Sequence, residues 1–208
     1  ILLVAVQKEM IDNRVAVLSD VGLRPVIIDL DVFALVNALS NSRDLTQMGT
    51  AALIDLGASF THLNIIQDGL TAFTRDIPMG GHSCSQKLMS QFGVPYLEAE
   101  AIKRGDFSAA IDREAAINVI AESFTKIAEE VEKSMEFFRA SSNSIISQVF
   151  LSGGGVLVPG VCSLFRDKLG ILVESMNPLD GIKVTPKIFD HDLVSQINPI
   201  AAVAIGLA

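Results

Sequence analysis

An α/β fold is predicted from three features of this 208-residue sequence. Strand-like and helix-like segments alternate up to Leu39, three period-two runs with legible turns follow between Ala51 and Ile77, and a glycine loop then joins a late strand to a helix. Half the residues are hydrophobic and 19% are charged, so the chain must bury much of itself and is not a disordered tail. Sixteen basic against 24 acidic side chains leave a net charge of -8, the wrong sign for tracking a phosphate backbone, so nucleic acid is not an expected partner.

The first element is the strand-like run Ile1 to Val6, which lacks a Met, a basic flank and a small-residue cleavage site, and so reads as the interior of a longer protein. A helix over Lys8 to Ser19 follows, with Met10, Ile11, Val15 and Leu18 at three-to-four spacing, and Gly22 stops it. Pro25 to Asp29 reads as a short buried strand and Val32 to Leu39 as a helix. The runs Ala51 to Leu56, Thr61 to Gln67 and Leu70 to Ile77 form an antiparallel meander, turned by Gly57-Ala58-Ser59 and by Asp68-Gly69, where Gly tolerates the positive φ of a primed turn.

Pro78 to Gly81 leads into a helix from His82 to Gln91, closed by Gly93, and a second short helix runs from Pro95 through Ala101. Arg113 to Ala140 is a long helix whose stripe Ile117, Ile120, Phe124, Ile127, Val131, Met135 and Phe138 steps by three and four. The stripe fits docking onto its own domain, with coiled-coil pairing as the alternative. A strand from Ile145 to Leu151, the loop Ser152 to Gly155, a helix from Pro159 to Leu169 stopped by Gly170, and strand-like runs at Ile171 to Met176 and Lys183 to Thr185 follow. Asn198-Pro199 fits a capped helix start before Ile200 to Leu207. The longest charge-free stretch, Ala140 to Phe165, is broken by serines, consecutive glycines and Pro159, so it is not the apolar helix of about 20 residues that a membrane crossing needs. Cys84 and Cys162 lack metal-ligand spacing, and a chain of this composition needs no disulfide framework, which points to a reducing, cytoplasmic compartment.

Four places could carry chemistry. In Asp55-Leu56-Gly57-Ala58-Ser59, small residues leave the backbone N–H groups open to an anion such as phosphate, and an Asp at the strand end suits a hydrated Mg²⁺. Most glycine turns between strands are nevertheless only turns. Gly153-Gly154-Gly155 suits the close approach of an adenosine or phosphate, or else a tight crossover; it matches neither the Walker pattern nor the dinucleotide fingerprint. Glu130, Lys133 and Ser134 lie within a turn of the long helix and could face a ribose or base edge, or form a solvated face. Asp29 and Asp31 precede a helix, where acids either orient water or a metal, or simply answer the helix dipole. His62, His82 and His191 have no ligand spacing, and Ser83 and Cys84 have no base arranged as in a catalytic triad.

In chain order, the Asp-x-Gly-x-Ser hairpin, the helical insertion and the triple-glycine loop resemble the C-terminal half of the actin and heat-shock chaperone ATPase superfamily. At family level, Ala51 to Ser59, Thr74 to Gly81, Leu151 to Gly155, Asn198-Pro199 and Ala204 to Ala208 resemble PilM, the cytoplasmic actin-like family of type IV pilus assembly. The resemblance spans the chain. It implies ribonuclease-H-like lobes, the second complete and the first partial, with ATP and Mg²⁺ between them. The implied divisions are a tail of an FtsA-like subdomain over 1–23, first-lobe remainder over 24–50, second lobe over 51–93 and 144–208, and a helical subdomain over 94–143. Asp55, Gly57, Ala58, Ser59, Thr61, Gly80 and Gly81 would hold phosphate, Gly153, Gly154 and Gly155 would close over adenosine, and Glu130, Lys133 and Ser134 would line the nucleoside pocket. Asp29 would be the catalytic acid that positions water, and Asp55 and Asp29 would hold Mg²⁺ through water. The implied role is an ATP-binding scaffold with slow or no hydrolysis, peripheral to the inner membrane through the cytoplasmic N-terminal peptide of PilN. Other pilus platform and motor proteins, and self-association, complete the implied contacts. A small-molecule kinase or phosphatase, or an FtsA-like cytoskeletal protein, is the alternative. Residues 1 to 50 hold no first phosphate loop, for which truncation is the expected reason.

Overall fold

A computed structural model of the chain describes residues 3–108, 110–183 and 191–208. It divides into an N-terminal unit, Ile1–Leu30, and a larger one, Asp31–Ala208. In the first unit, α1 (Lys8–Asp20) buries none of its residues. It ends where Gly22, at φ 79°, and Leu23 donate to the carbonyls of Ser19 and Leu18, both at 2.9 Å. Neither expected strand forms among the described residues of this unit. Val26 and Ile27 are 85% and 80% exposed and have no ladder beside them, and an apolar run becomes a strand only when a neighbour takes its N–H and C=O groups. Ile1 and Leu2 lie outside the described residues.

The second unit begins with α2 (Asp31–Ser40) and the meander β1 (Thr50–Leu56), β2 (Thr61–Gln67) and β3 (Leu70–Ile77). Next come α3 (Gly81–Phe92), α4 (Tyr96–Lys103), α5 (Arg113–Ser142), β4 (Gln148–Ser152), α6 (Val161–Leu169) and β5 (Leu172–Ser175), and α7 (His191–Ile197) and α8 (Ala202–Gly206) close the sequence. The sheet has the order β3-β2-β1-β4-β5, with antiparallel pairing through the meander and parallel pairing from β1 to β4 and β4 to β5. This is the α/β architecture that the alternation predicted, with a parallel half that requires helical crossovers.

β1 is the centre. Ala52, Ile54 and Leu56 point to one face and pack with Leu63, Ile65, Val149, Leu151 and the buried sides of α3, α5 and α6. Ala51 and Leu53 point to the other, with Ile66, Phe150, Leu35 and Ala38. Because both faces are covered, β1 is apolar almost throughout, whereas the edge strand β3 alternates between exposed and half-buried positions over most of its length. The α5 stripe from Ile120 to Phe138 is buried in the first cluster, so it docks onto its own unit and the coiled-coil alternative falls away. Ile117 departs from the stripe and is 46% exposed.

At the C-terminal end the expected Asn cap is not made. Asn198 opens a single 3-10 turn, Asn198–Ile200, and its Oδ1 instead accepts from the Leu179 N–H at 3.1 Å. The strand expected over Lys183 to Thr185 lies, apart from Lys183, outside the described residues. α8 closes on α2 without space between them: a Cβ placed on Gly206 would lie 1.7 Å from the Ala34 carbonyl oxygen. Asn37 Nδ2 donates to the Gly206 carbonyl at 3.1 Å across the same contact.

Overpacking a filled contact costs about 1–3 kcal/mol, so Gly206→Ala is expected to lower the thermal midpoint by several degrees. Gly170→Ala tests a different cost, because nothing lies within 4 Å of its Cβ position and only its φ of 63° resists the change. Melting curves that leave Gly206→Ala at the parent midpoint would contradict this account of the α2–α8 contact.

Candidate functional site

The turn after β1 and the loop after β4 are brought together by pairing of their strands, Asp55 standing opposite Ser152 in the parallel ladder. The contact requires residues without side chains. A Cβ on Gly153, whose φ is 85°, would meet Asp55 Oδ1 and the Leu56 carbonyl at 2.7 Å, and one on Gly155 would meet Leu56 Cβ at 2.6 Å. Gly154 is different: nothing lies within 4 Å of its Cβ position, so its backbone fronts open space.

The turn is pinned from the other side. Gly81 and His82, the first residues of α3, donate their N–H groups to the Gly57 and Ala58 carbonyls at 2.9 and 2.8 Å. Gly80 lies so close that a Cβ there would meet those same carbonyls at 2.6 and 2.5 Å. Thr61 is buried and its Oγ1 donates to the Met79 carbonyl at 2.8 Å, holding β2 to the approach to Gly80. Ser59 is exposed at the tip.

A cavity of about 200 Å³ opens between these loops and α4. Gly57, Ala58, Gly81, Gly154 and Gly155 form its backbone side, and Tyr96, Glu100, Lys103 and Arg104 its side-chain side. Lys103 is buried, and its Nζ donates to Glu100 Oε1 at 2.7 Å, Ser85 Oγ at 2.8 Å and the Gly81 carbonyl at 3.2 Å. Ser85 Oγ also donates to Glu100 Oε1. Burial works to raise the Glu100 pKa, but the hydrogen bonds from Lys103 and Ser85 outweigh it and the carboxyl is held below its usual range. A fixed cation, a fixed carboxylate and the uncovered main chain of Gly154 in one small cavity suit a polar, anionic ligand with hydroxyl groups.

Asp55 lies at the end of β1 on the sheet face that carries α2. Ser152 Oγ donates to its Oδ1 at 2.8 Å. The ladder places His62 opposite Asp55 and Asp76 opposite His62, and His62 Nδ1 is 2.7 Å from Asp76 Oδ1. Burial pushes the Asp55 pKa up; the Ser152 hydrogen bond and His62 pull it down, and the charge of Asp31 pushes it up again. Among the described residues no group of three or more acids, histidines or cysteines could enclose a metal. A half-buried carboxylate within electrostatic reach of a second acid, Asp31, is, however, the kind of anchor that a largely hydrated Mg²⁺ uses.

Other expected residues lie elsewhere. Glu130 and Lys133 pair with each other at 2.6 Å on α5, and Arg75 of β3 reaches Glu130 at 3.9 Å and Ser134 Oγ at 3.1 Å. This trio ties α5 to β3 and does not line the cavity. Asp29 belongs to the N-terminal unit, where its Oδ1 accepts from the Leu30 N–H at 2.8 Å. The sequence reading passed over Glu100 and Lys103. Their signal was a Glu-x-x-Lys spacing on a short helix whose Ala99 and Ile102 mark the buried face.

Comparison with known proteins agrees with the fold. The family model described as type IV pilus assembly protein PilM matches residues 1–208. Ethanolamine utilization protein EutJ of Salmonella typhimurium is 28% identical over 143 residues, covering 69% of this chain and 47% of its own length. The chain thus spans about half the length of the curated relatives it matches. Among solved structures, the PilM-PilN type IV pilus biogenesis complex superposes with a TM-score of 0.83 at 28% identity, over 96% of this chain and 57% of that one. EutJ from Carboxydothermus hydrogenoformans gives 0.70 at 22%, over 98% of this chain and 61% of that one. MreB 5 of Spiroplasma citri bound to AMPPNP gives 0.65 at 18%, over 97% and 64%. The actin-like fold expected from the sequence is therefore shown.

Asp55 yields a pH prediction. A carboxyl whose pKa is raised by folding binds its proton more tightly in the folded chain. Its penalty is absent below the unfolded value of 3.8 and appears as pH rises through the folded one. Asp55→Asn, which keeps the acceptor for Ser152, is expected to melt above the parent at neutral pH, with the gap closing as pH falls towards about 4. A gap that stays constant across that range would contradict it.

Proposed function

The chain belongs to the type IV pilus assembly protein PilM family, and from this we propose that it serves type IV pilus assembly as a scaffold that holds ATP and Mg²⁺ and engages a membrane partner's cytoplasmic peptide. The observation that carries the reading is the meeting of the two glycine loops beside Glu100 and Lys103. Close backbone approach at Gly57 and Ala58 suits the phosphates, and the open front of Gly154 and Gly155 suits the nucleoside. Glu100 and Lys103, which line the same cavity, support the reading as groups that a ribose or base edge would meet. The residues fit the cofactor because the glycines let the two loops pack against each other, while Gly154 leaves the mouth of the cavity clear. Bound Mg²⁺ would offset phosphate charge, held through water by Asp55. The structural neighbours support the same reading, one being a complex of PilM with PilN and another MreB 5 bound to AMPPNP.

No described helix is long and apolar enough to cross a membrane. Attachment to the inner membrane through the cytoplasmic N-terminal peptide of PilN, with the protein otherwise cytoplasmic, accounts for a membrane role without a helical span. Other platform and motor proteins would join through the same assembly.

The reading is tested with the full chain, a fluorescent ATP analogue and a synthetic PilN peptide. Gly154→Ala adds a methyl group where no atom lies within 4 Å, so it should leave the melting midpoint unchanged and weaken nucleotide binding by about tenfold. Lys103→Met should weaken it at least as much and also lower stability by about 1–3 kcal/mol, since it leaves Glu100 without its cation. Peptide binding should strengthen when Mg²⁺ and ATP are present. Turnover of a small acceptor at about 1 s⁻¹ or faster would favour a small-molecule kinase instead. Unchanged nucleotide affinity in both variants would remove the proposed site.

A further inference from the structure

A second and larger cavity, of about 550 Å³, lies between the end of α4, the start of α5 and the approach to α6. Its walls are apolar: Ile117, Ile120 and Phe124 from α5, Val158 and Pro159 from the segment that leads into α6, and Leu164 from α6 itself. Ile117 explains itself here. It is the stripe residue that the core leaves 46% exposed, and it faces this chamber. The volume falls within the range of about 300–1,000 Å³ typical of small-molecule sites.

The charged groups that line the chamber are all of one sign. Arg104 and Arg113 line it beside Lys103, and none of its described lining residues is acidic, on a chain with 24 acids against 16 bases. Lys103 is satisfied by Glu100. Among the described residues neither arginine has a carboxylate within salt-bridge distance; Arg113 instead lies with its guanidinium carbon 5.1 Å from the centroid of the Phe107 ring. A guanidinium resting on an aromatic face keeps its N–H edge free for an acid group.

We propose that this chamber is a binding site for a small anionic amphiphile, an aromatic or aliphatic body carrying one acid group. The apolar body lies between α5 and the Val158–Leu164 segment, and Arg113 and Arg104 receive the acid at the mouth. Lys103, Arg104 and Val158 belong to the walls of both cavities, but the glycine loops line only the smaller one, so an occupant of the chamber leaves them open. Aromatic acids and short fatty acids share this chemistry.

The test uses anilinonaphthalene sulfonate and its uncharged counterpart N-phenylnaphthylamine on the folded full chain. The sulfonate should bind saturably at a single site. Arg113→Gln, an exposed change, should weaken the sulfonate about fivefold or more and leave the neutral probe unaffected. Ala121→Phe, which fills the chamber from α5, should weaken both. Octanoate and benzoate, added as competitors, distinguish the aliphatic from the aromatic source. Equal binding of the two probes, or an Arg113→Gln variant indistinguishable from the parent, would overturn the proposal. So would displacement of the sulfonate by ATP with full competition, since the chamber would then be part of the nucleotide site. Failure of the chain to bind ATP would leave the probe measurements interpretable and would count only against the nucleotide reading.

Discussion

The site depends on a steric constraint at the end of the central strand: the loop after β4 must cross the tip of β1 at a distance no side chain allows. Gly153 and Gly155 press against Asp55 and Leu56 so closely that added methyl groups would overlap them. Since β1 and β4 pair in parallel, the register that sets Asp55 opposite Ser152 also sets the two loops side by side. Gly80 repeats the constraint from the opposite flank, with its backbone packed on the turn. The result is a small cavity with main chain on one side and charged side chains on the other. The main-chain side follows from strand pairing.

Burial of the sheet on both faces keeps that register fixed. A slip of one residue along β1 would turn Asp55 into the apolar layer under α5 and drive Ile54 or Leu56 toward the polar row formed by Ser152, Asp55, His62 and Asp76. The charged groups are arranged with similar economy. Lys103 is buried yet satisfied by a carboxylate, a hydroxyl and a carbonyl, so it stays in place to meet a ligand without first reorganising.

Much of this was legible in the sequence, for identifiable physical reasons. The meander was readable because period-two apolar runs and Asp68-Gly69 leave little freedom of interpretation. The glycine loops were readable because three adjacent residues without Cβ atoms have an entropic cost that packing or a ligand must offset. The strand at Pro25 to Asp29 was misread because an apolar run states only that something should cover it, and no described ladder does. Glu130, Lys133 and Ser134 had an attractive spacing, but helical spacing fixes a face and not its destination; Arg75, far away in sequence, decided where they went. Glu100 and Lys103 were overlooked for the converse reason. A Glu-x-x-Lys pair is common on solvated helices, and only the depth of Lys103 distinguishes this one.

The contact between Gly206 and Ala34 has a temporal meaning as well as a packing one. It joins positions nearly the whole unit apart, so on the ribosome α2 is made early and must wait for α8 before its layer can close. Until that moment the cluster of Leu53, Ile66 and Phe150 has α2 against it but lacks Ala202 of α8, which completes the same layer. Chaperones that shield nascent chains would find an extended window there.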